Sequence, residues 1–404
     1  MNTRLHALLL LAFSVLPLKA AQPAPEMTDL FLADTGGYHV YHIPGILVTT
    51  KGSVLAWCEA RKKGGDWDQI DVLMRRSTDG GKTFSEPQRI SDVTGPITKN
   101  PASLRLKGVD PKDVTHNNPV FIAGHDSTVH GLFCVEYQRC FYIRSADDGV
   151  TWSAPVEISK VFEDFRKTYP WKVLATGPDH AIQLKTGRLV VPVWLSDGTG
   201  GNAHRPSVAA TICSDDEGKT WKAGDIAVPC TDEWINPNET VIAELADGSV
   251  MLNSRSESKA HRRLITLSKD GATGWSTPSF DEALLEPICM AGLVRYSLDK
   301  PRLLFCNPDN LSRADHKEQP GKNRDRRNFS VKLSYDEGKT WPVSKVVEPG
   351  PSGYSDIGVT KDGTILCFYG RGGDKDFGGY AFNHLTLARF SLEWLTDGKD
   401  SGKP

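Results

Sequence analysis

The sequence predicts an all-β fold, a propeller of six four-stranded antiparallel blades, and three observations carry that expectation. An octapeptide of the form Ser-x-Asp-x-Gly-x-Thr-Trp/Phe recurs at residues 77–84, 145–152, 214–221 and 334–341, with a degenerate fifth copy at 268–275. Its period of roughly 65 residues is that of a propeller blade, and dividing the chain by it gives about six units. Short apolar runs alternate with turn signals such as Lys51-Gly52-Ser53, Asp247-Gly248-Ser249 and Lys361-Asp362-Gly363, and no long helical periodicity interrupts them.

Taken in order, the chain opens like a secretory leader. Arg4 supplies a positive charge, residues 7–16 an apolar run, and Ala20 and Ala21 a small-residue cleavage point. That run is too short to span a bilayer. Residues 1–21 are therefore assigned to a signal peptide, giving a secreted or periplasmic product, and residues 22–404 to one propeller domain. The chain of 404 residues is 24% charged with a formal net charge of −2. That balance suggests neither a nucleic-acid partner nor membrane insertion.

The first strand pair is announced by Tyr41-His42-Ile43-Pro44, followed by an apolar run and then Glu59-Ala60-Arg61. If the two runs pair, His42, Arg61 and Asp66 of the Gly-rich loop Gly65-Asp66-Trp67-Asp68 meet at one end of the sheet. The octapeptides read as hairpin turns. Their Asp accepts hydrogen bonds from the turn's own backbone, their Gly takes a positive φ, and the aromatic folds back on the blade, so these aspartates are not catalytic candidates. The eight cysteines lie mostly inside apolar runs, where they serve as small hydrophobes. Cys134 and Cys140 could close a hairpin. No Cys/His spacing suits zinc, and no cofactor is expected. The basic stretch at 310–327, with Arg313, His316, Lys317, Arg324, Arg326 and Arg327, is either solvated or substrate-facing.

Polar residues flanking strands complete the set: Asp66, Asn238-Glu239, Arg255, Arg326 and Tyr354. Together with the octapeptides, the ordered motifs Ile43-Pro44, Glu59-Ala60-Arg61, Asn238-Glu239, Asn253-Ser254-Arg255, Arg326-Arg327-Asn328 and Tyr354-Ser355-Asp356 resemble the bacterial exo-α-sialidases, over essentially the whole chain after the leader. The resemblance implies a retaining glycoside hydrolase acting on sialylated glycans or glycoproteins. It casts Tyr354 as nucleophile, Glu239 as its base and Asp66 as general acid/base. Arg255 and Arg326 grip the substrate carboxylate, and Arg61 lines the pocket near the sugar's 4-hydroxyl. The residue types suit that chemistry. A neutral tyrosine avoids the repulsion a carboxylate nucleophile would meet at an anomeric carbon that itself bears a carboxylate, and guanidinium forks match carboxylates.

Two positions depart from the family pattern. His42 stands where the first of three arginines is expected, and Asn117-Asn118-Pro119 is followed by Val120 and Phe121 rather than by an aspartate. A histidine is shorter than arginine and charged only near or below its pKa. Several outcomes follow: a protonated His42 substitutes for the arginine in an active sialidase, the pocket takes a related 3-deoxy-2-ulosonic acid, the protein binds glycans without turnover, or His42 is structural.

Overall fold

The computed structural model describes residues 23–373 and 382–402; the expected signal peptide lies outside them. It is an all-β structure of up-and-down antiparallel sheets. Strands Val40–Val48, Val54–Arg61, Ile70–Ser77 and Gln88–Arg89 form the first sheet. His116–Ala123, Val129–Val135, Arg139–Ser145 and Val156–Glu157 form the second, to which Asp179–His180 adds a short parallel strand. Val173–Thr176, Leu189–Gly200, Arg205–Ser214 and Lys222–Val228 build the third, and Thr240–Glu244, Val250–Ser254, Arg262–Ser268 and Ser279–Leu285 the fourth.

The rest of the chain forms one seven-stranded sheet. Strand Val343–Val359 pairs through its first half with Arg327–Ser334 and through its second half with Ile365–Arg371. The boundary expected between the last two repeats is thus bridged by a single strand. The sheets pack on each other in circular order, the first against both the second and the seven-stranded sheet. Glu26–Leu32 pairs with His384–Phe390, so the start of the described chain closes the ring against its end. Nothing in the repeat announced that closure, because the first strand precedes the first octapeptide.

The octapeptides are the turns they were read as. Asp79 Oδ1 accepts from the backbone N–H of Lys82 and Thr83, and the corresponding Thr hydroxyl lies 2.6 Å from Asp Oδ2 in all four regular copies. Each turns the chain from the third to the fourth strand of its sheet. Cys134 and Cys140 do face each other across a hairpin, but all eight cysteines are free thiols.

Candidate active site

The site lies at one end of the ring, where the innermost strands of the sheets begin or end. Tyr354 was expected beside a strand and instead sits inside Val343–Val359, at the register shift between Ser352 and Ser355. The shift turns it toward the ring's axis, 5% exposed. Its hydroxyl donates to Glu239 Oε1 at 2.6 Å. Glu239 and Arg255 meet because they flank the antiparallel pair Thr240–Glu244 and Val250–Ser254, with the Arg255 N–H donating to the Glu239 carbonyl at 2.9 Å. The Arg255 guanidinium donates to the Glu239 carboxylate and, at 2.5 Å, to the Tyr354 oxygen. Arg326, just before Arg327–Ser334, stands 5.1 Å from the Tyr354 ring centre. Burial, together with the Glu239 charge, raises the Tyr354 phenol well above its usual value against the pull of Arg255 and Arg326. A phenol so held is neutral and needs a base in contact to become a nucleophile.

The opposite wall comes from the first sheet. The Val40–Val48 strand bulges between His42 and Gly45, with Ile43 at φ 55°, a left-handed conformation that a β-branched residue resists. Gly45 is required there, since a Cβ would meet the Trp57 indole at 2.2 Å. The register sets His42 opposite Glu59, and the His42 ring lies 4.5 Å from that of Tyr354. Glu59 is fully buried. Its Oε2 receives Arg61 Nε and Nη2 at 2.9 and 2.6 Å, and its Oε1 the Asn118 N–H at 2.8 Å. Arg61 Nη1 then reaches Asp66 Oδ1 at 2.9 Å. The other Asp66 oxygen accepts from Asn202 Nδ2 at 2.6 Å.

These contacts set the charges. Burial pushes the Asp66 carboxyl up, but Arg61 and His204 outweigh it and hold the group below the carboxylate range. His42 is driven well below 6.5 by burial and by the charges of Arg61, Arg326 and Arg255. Burial and these charges thus disfavour the imidazolium in the free protein, whereas a carboxylate bound beside His42 would favour it.

His42, Arg61, Asp66, Glu239, Arg255 and Tyr354 line one cavity of about 410 Å³, within the usual range of ligand pockets. Arg326 reaches it through the Tyr354 ring. All seven residues picked out in the sequence thus converge. Glu59 was missed, although it alternates with Arg61 on one strand and must share its face. Asn202 and His204 were also missed, and Asn202 is brought to Asp66 from 136 residues away with no local signature. Of the basic stretch, Arg326 stands beside Tyr354, while Arg313 pairs with Asp315 at the surface and Arg324 caps the carbonyls of Gln319 and Lys322, away from the cavity lining. Among the described residues no group of three or more His, Cys, Asp or Glu is placed to hold a metal ion.

Residues 106–367 match the BNR repeat-like domain. The chain belongs to that family. It is 28% identical to a sialidase of Micromonospora viridifaciens, over 93% of this chain and 55% of the relative. It is 30% identical to a sialidase of Bacteroides fragilis, over 81% of this chain and 59% of the relative. It therefore spans just over half the length of these two curated relatives. Among solved structures it superposes on the Hadza microbial sialidase Hz136 with a TM-score of 0.69 at 25% identity, covering 90% of this chain and 68% of the other.

Proposed function

We propose that this chain is an exo-α-sialidase that removes terminal α-linked sialic acid from glycans or glycoproteins with retention of configuration. The carrying observation is the Tyr354 hydroxyl donating at 2.6 Å to Glu239 in a cavity that also holds the Asp66 carboxyl. In the first step the Tyr354 oxygen bonds to the anomeric carbon as its proton passes to Glu239. The bond to the aglycone oxygen breaks with its electron pair, and Asp66 protonates that oxygen. In the second step Asp66 takes a proton from water, whose oxygen displaces Tyr354 from the sugar, and Glu239 returns its proton to the departing Tyr354 oxygen. Arg255 and Arg326 hold the sugar's carboxylate, with His42 beside them as a hydrogen-bonding partner. The carboxylate adds negative charge to the cavity that Asp66 lines, which raises the Asp66 pKa and lets it act as an acid.

The same reading takes the seven-stranded sheet as two blades sharing one strand, which makes six, and takes the chain as exported. The histidine at position 42, where the sialidase pattern has arginine, carries one second reading, a related 3-deoxy-2-ulosonic acid as the sugar. Incubation with an aryl α-sialoside tests the proposal: the aryl group is released, and release disappears in Tyr354→Phe. Glycan binding without release at any pH from about 5 to 8 defeats the hydrolase reading. Turnover of shorter-chain ulosonides alone replaces the sugar.

A further inference from the structure

A hairpin turn outside every motif reaches across the cavity to the Asp66 carboxyl. The turn joins Leu189–Gly200 to Arg205–Ser214, and three consecutive residues in it are left-handed: Gly201 at φ 41°, Asn202 at 55° and Ala203 at 65°. Asparagine tolerates this region; alanine resists it. A Cβ at position 201 would meet Arg205 Nη1 at 2.1 Å. The surroundings hold the turn in this shape. The Trp67 indole N–H donates to the Asn202 carbonyl at 3.0 Å, and Ser196 Oγ to the Ala203 carbonyl at 3.2 Å. His204 lies among three aromatic rings, 4.7 Å from Tyr137, 5.1 Å from Trp194 and 5.6 Å from Trp67. Trp67 follows Asp66 directly, and Lys99 Nζ holds its carbonyl at 2.6 Å.

We propose that Asn202 is a positioning residue for Asp66, and that the left-handed turn, clamped by Trp67 and by the rings around His204, exists to deliver it. With Arg61 on Oδ1 and Asn202 on Oδ2, both carboxyl oxygens are tied and rotation about the Cβ–Cγ bond is fixed. The two anchors differ in what they can do. Arg61 can only donate and always carries charge, so it favours the carboxylate alone. An amide both donates and accepts, so Asn202 serves a carboxyl that must gain and lose a proton in one catalytic cycle. The groups facing Asp66 are Arg61 and Glu59 from one strand, His42 from its neighbour, Tyr137 from the hairpin of the second sheet, and His204 with Arg205 from the turn itself. Within that set Asn202 is the uncharged side chain bonded to the carboxyl, so removing it changes one hydrogen bond and no charge.

This inference rests on the sialidase reading for its kinetic test and is independent of it for its titration test. In Asn202→Ala the lost donor raises the Asp66 pKa. The carboxyl resonance of 13C-labelled Asp66, followed by NMR through a pH titration of the whole protein, should move to a higher midpoint than in wild type. An unchanged midpoint overturns the proposal whether or not any sialoside is cleaved. In kinetics, kcat/KM for 3′-sialyllactose, whose leaving alkoxide needs the acid, should fall at least 10-fold with its basic limb displaced to higher pH. For 4-nitrophenyl α-sialoside, whose leaving group does not, it should change less than 3-fold. Asn202→Gln, which keeps the amide, should recover part of the loss. Equal losses on both substrates with an unmoved limb mark a merely structural turn and overturn the assignment. Wild type inactive on both substrates refutes the sialidase reading and leaves the titration to decide this one.

Discussion

Asp79 and Asp66 both stand just past the end of a strand, and both carboxyls are held below their usual range, yet by opposite means. Asp79 is exposed, and its partners are its own turn: the Thr83 hydroxyl first, then the Thr83 N–H, the Ser77 hydroxyl and the Lys82 N–H, all within four residues. Asp66 is held down against the cost of burial by Arg61, five residues back, and by His204, while Asn202, 136 residues on, bonds its other oxygen. The first carboxylate is spent entirely on folding its own turn. The second is tied to separate elements that converge on a cavity, and the carboxyl lines that cavity. Similar depression of a carboxyl therefore does not mean similar role; the span of chain that the partners come from separates them.

The comparison breaks most readily by substitution. Asp66→Asn should lower kcat/KM on alkyl sialosides by about 10²-fold or more, the usual loss for a general acid, with little change in melting temperature. Glu59→Gln should cost stability, about 3 kcal/mol, because it leaves the Arg61 charge without its buried partner. Chemical denaturation reads that loss directly. Asp79→Ala should leave kcat/KM as it is and cost roughly 1–2 kcal/mol from the lost turn hydrogen bonds. A catalytic effect of Asp79→Ala, or a large stability loss in Asp66→Asn, would dissolve the distinction.

The smallest expected effect is in pH. Burial lowers His204 and His130 to about 4 and pushes His42 well below 6.5. Below pH 6.5 the unfolded chain takes up protons that the folded protein refuses, so these groups make stability fall as pH drops from about 6.5 towards 4. His180, which burial alone would lower but the Asp356 carboxylate raises, works in the other direction. Melting temperature should be lower at pH 4.5 than at pH 7, and a His204→Phe variant should lose part of that slope.

What was legible in the sequence follows the same division. The turns were readable because each octapeptide carries all of its own hydrogen-bond partners. The seven site residues were readable through motifs in which the useful side chain adjoins a strand. Asn202 was not, since its role exists only once sheets from distant parts of the chain have packed together, whereas Glu59 carries a local signal in its two-residue spacing from Arg61. Nor were the surroundings of His42 legible, because the three guanidinium groups that, with burial, disfavour its charged form in the free protein converge on it only in space. The strand shared by the last two repeats escaped notice because no octapeptide or turn signal marks Val343–Val359, which runs unbroken through Gly350-Pro351.

The central claim is that Tyr354, activated by Glu239, attacks the anomeric carbon. Peptide mass spectrometry after incubation with a 2,3-difluorinated sialosyl fluoride tests it directly, because the fluorines slow release of any sugar–enzyme bond. The account predicts one sugar adduct per chain, on the peptide that contains Tyr354, and none in Tyr354→Phe. An adduct on Asp66 or Glu239, or turnover of sialosides by the Tyr354→Phe variant at the wild-type rate, would contradict it.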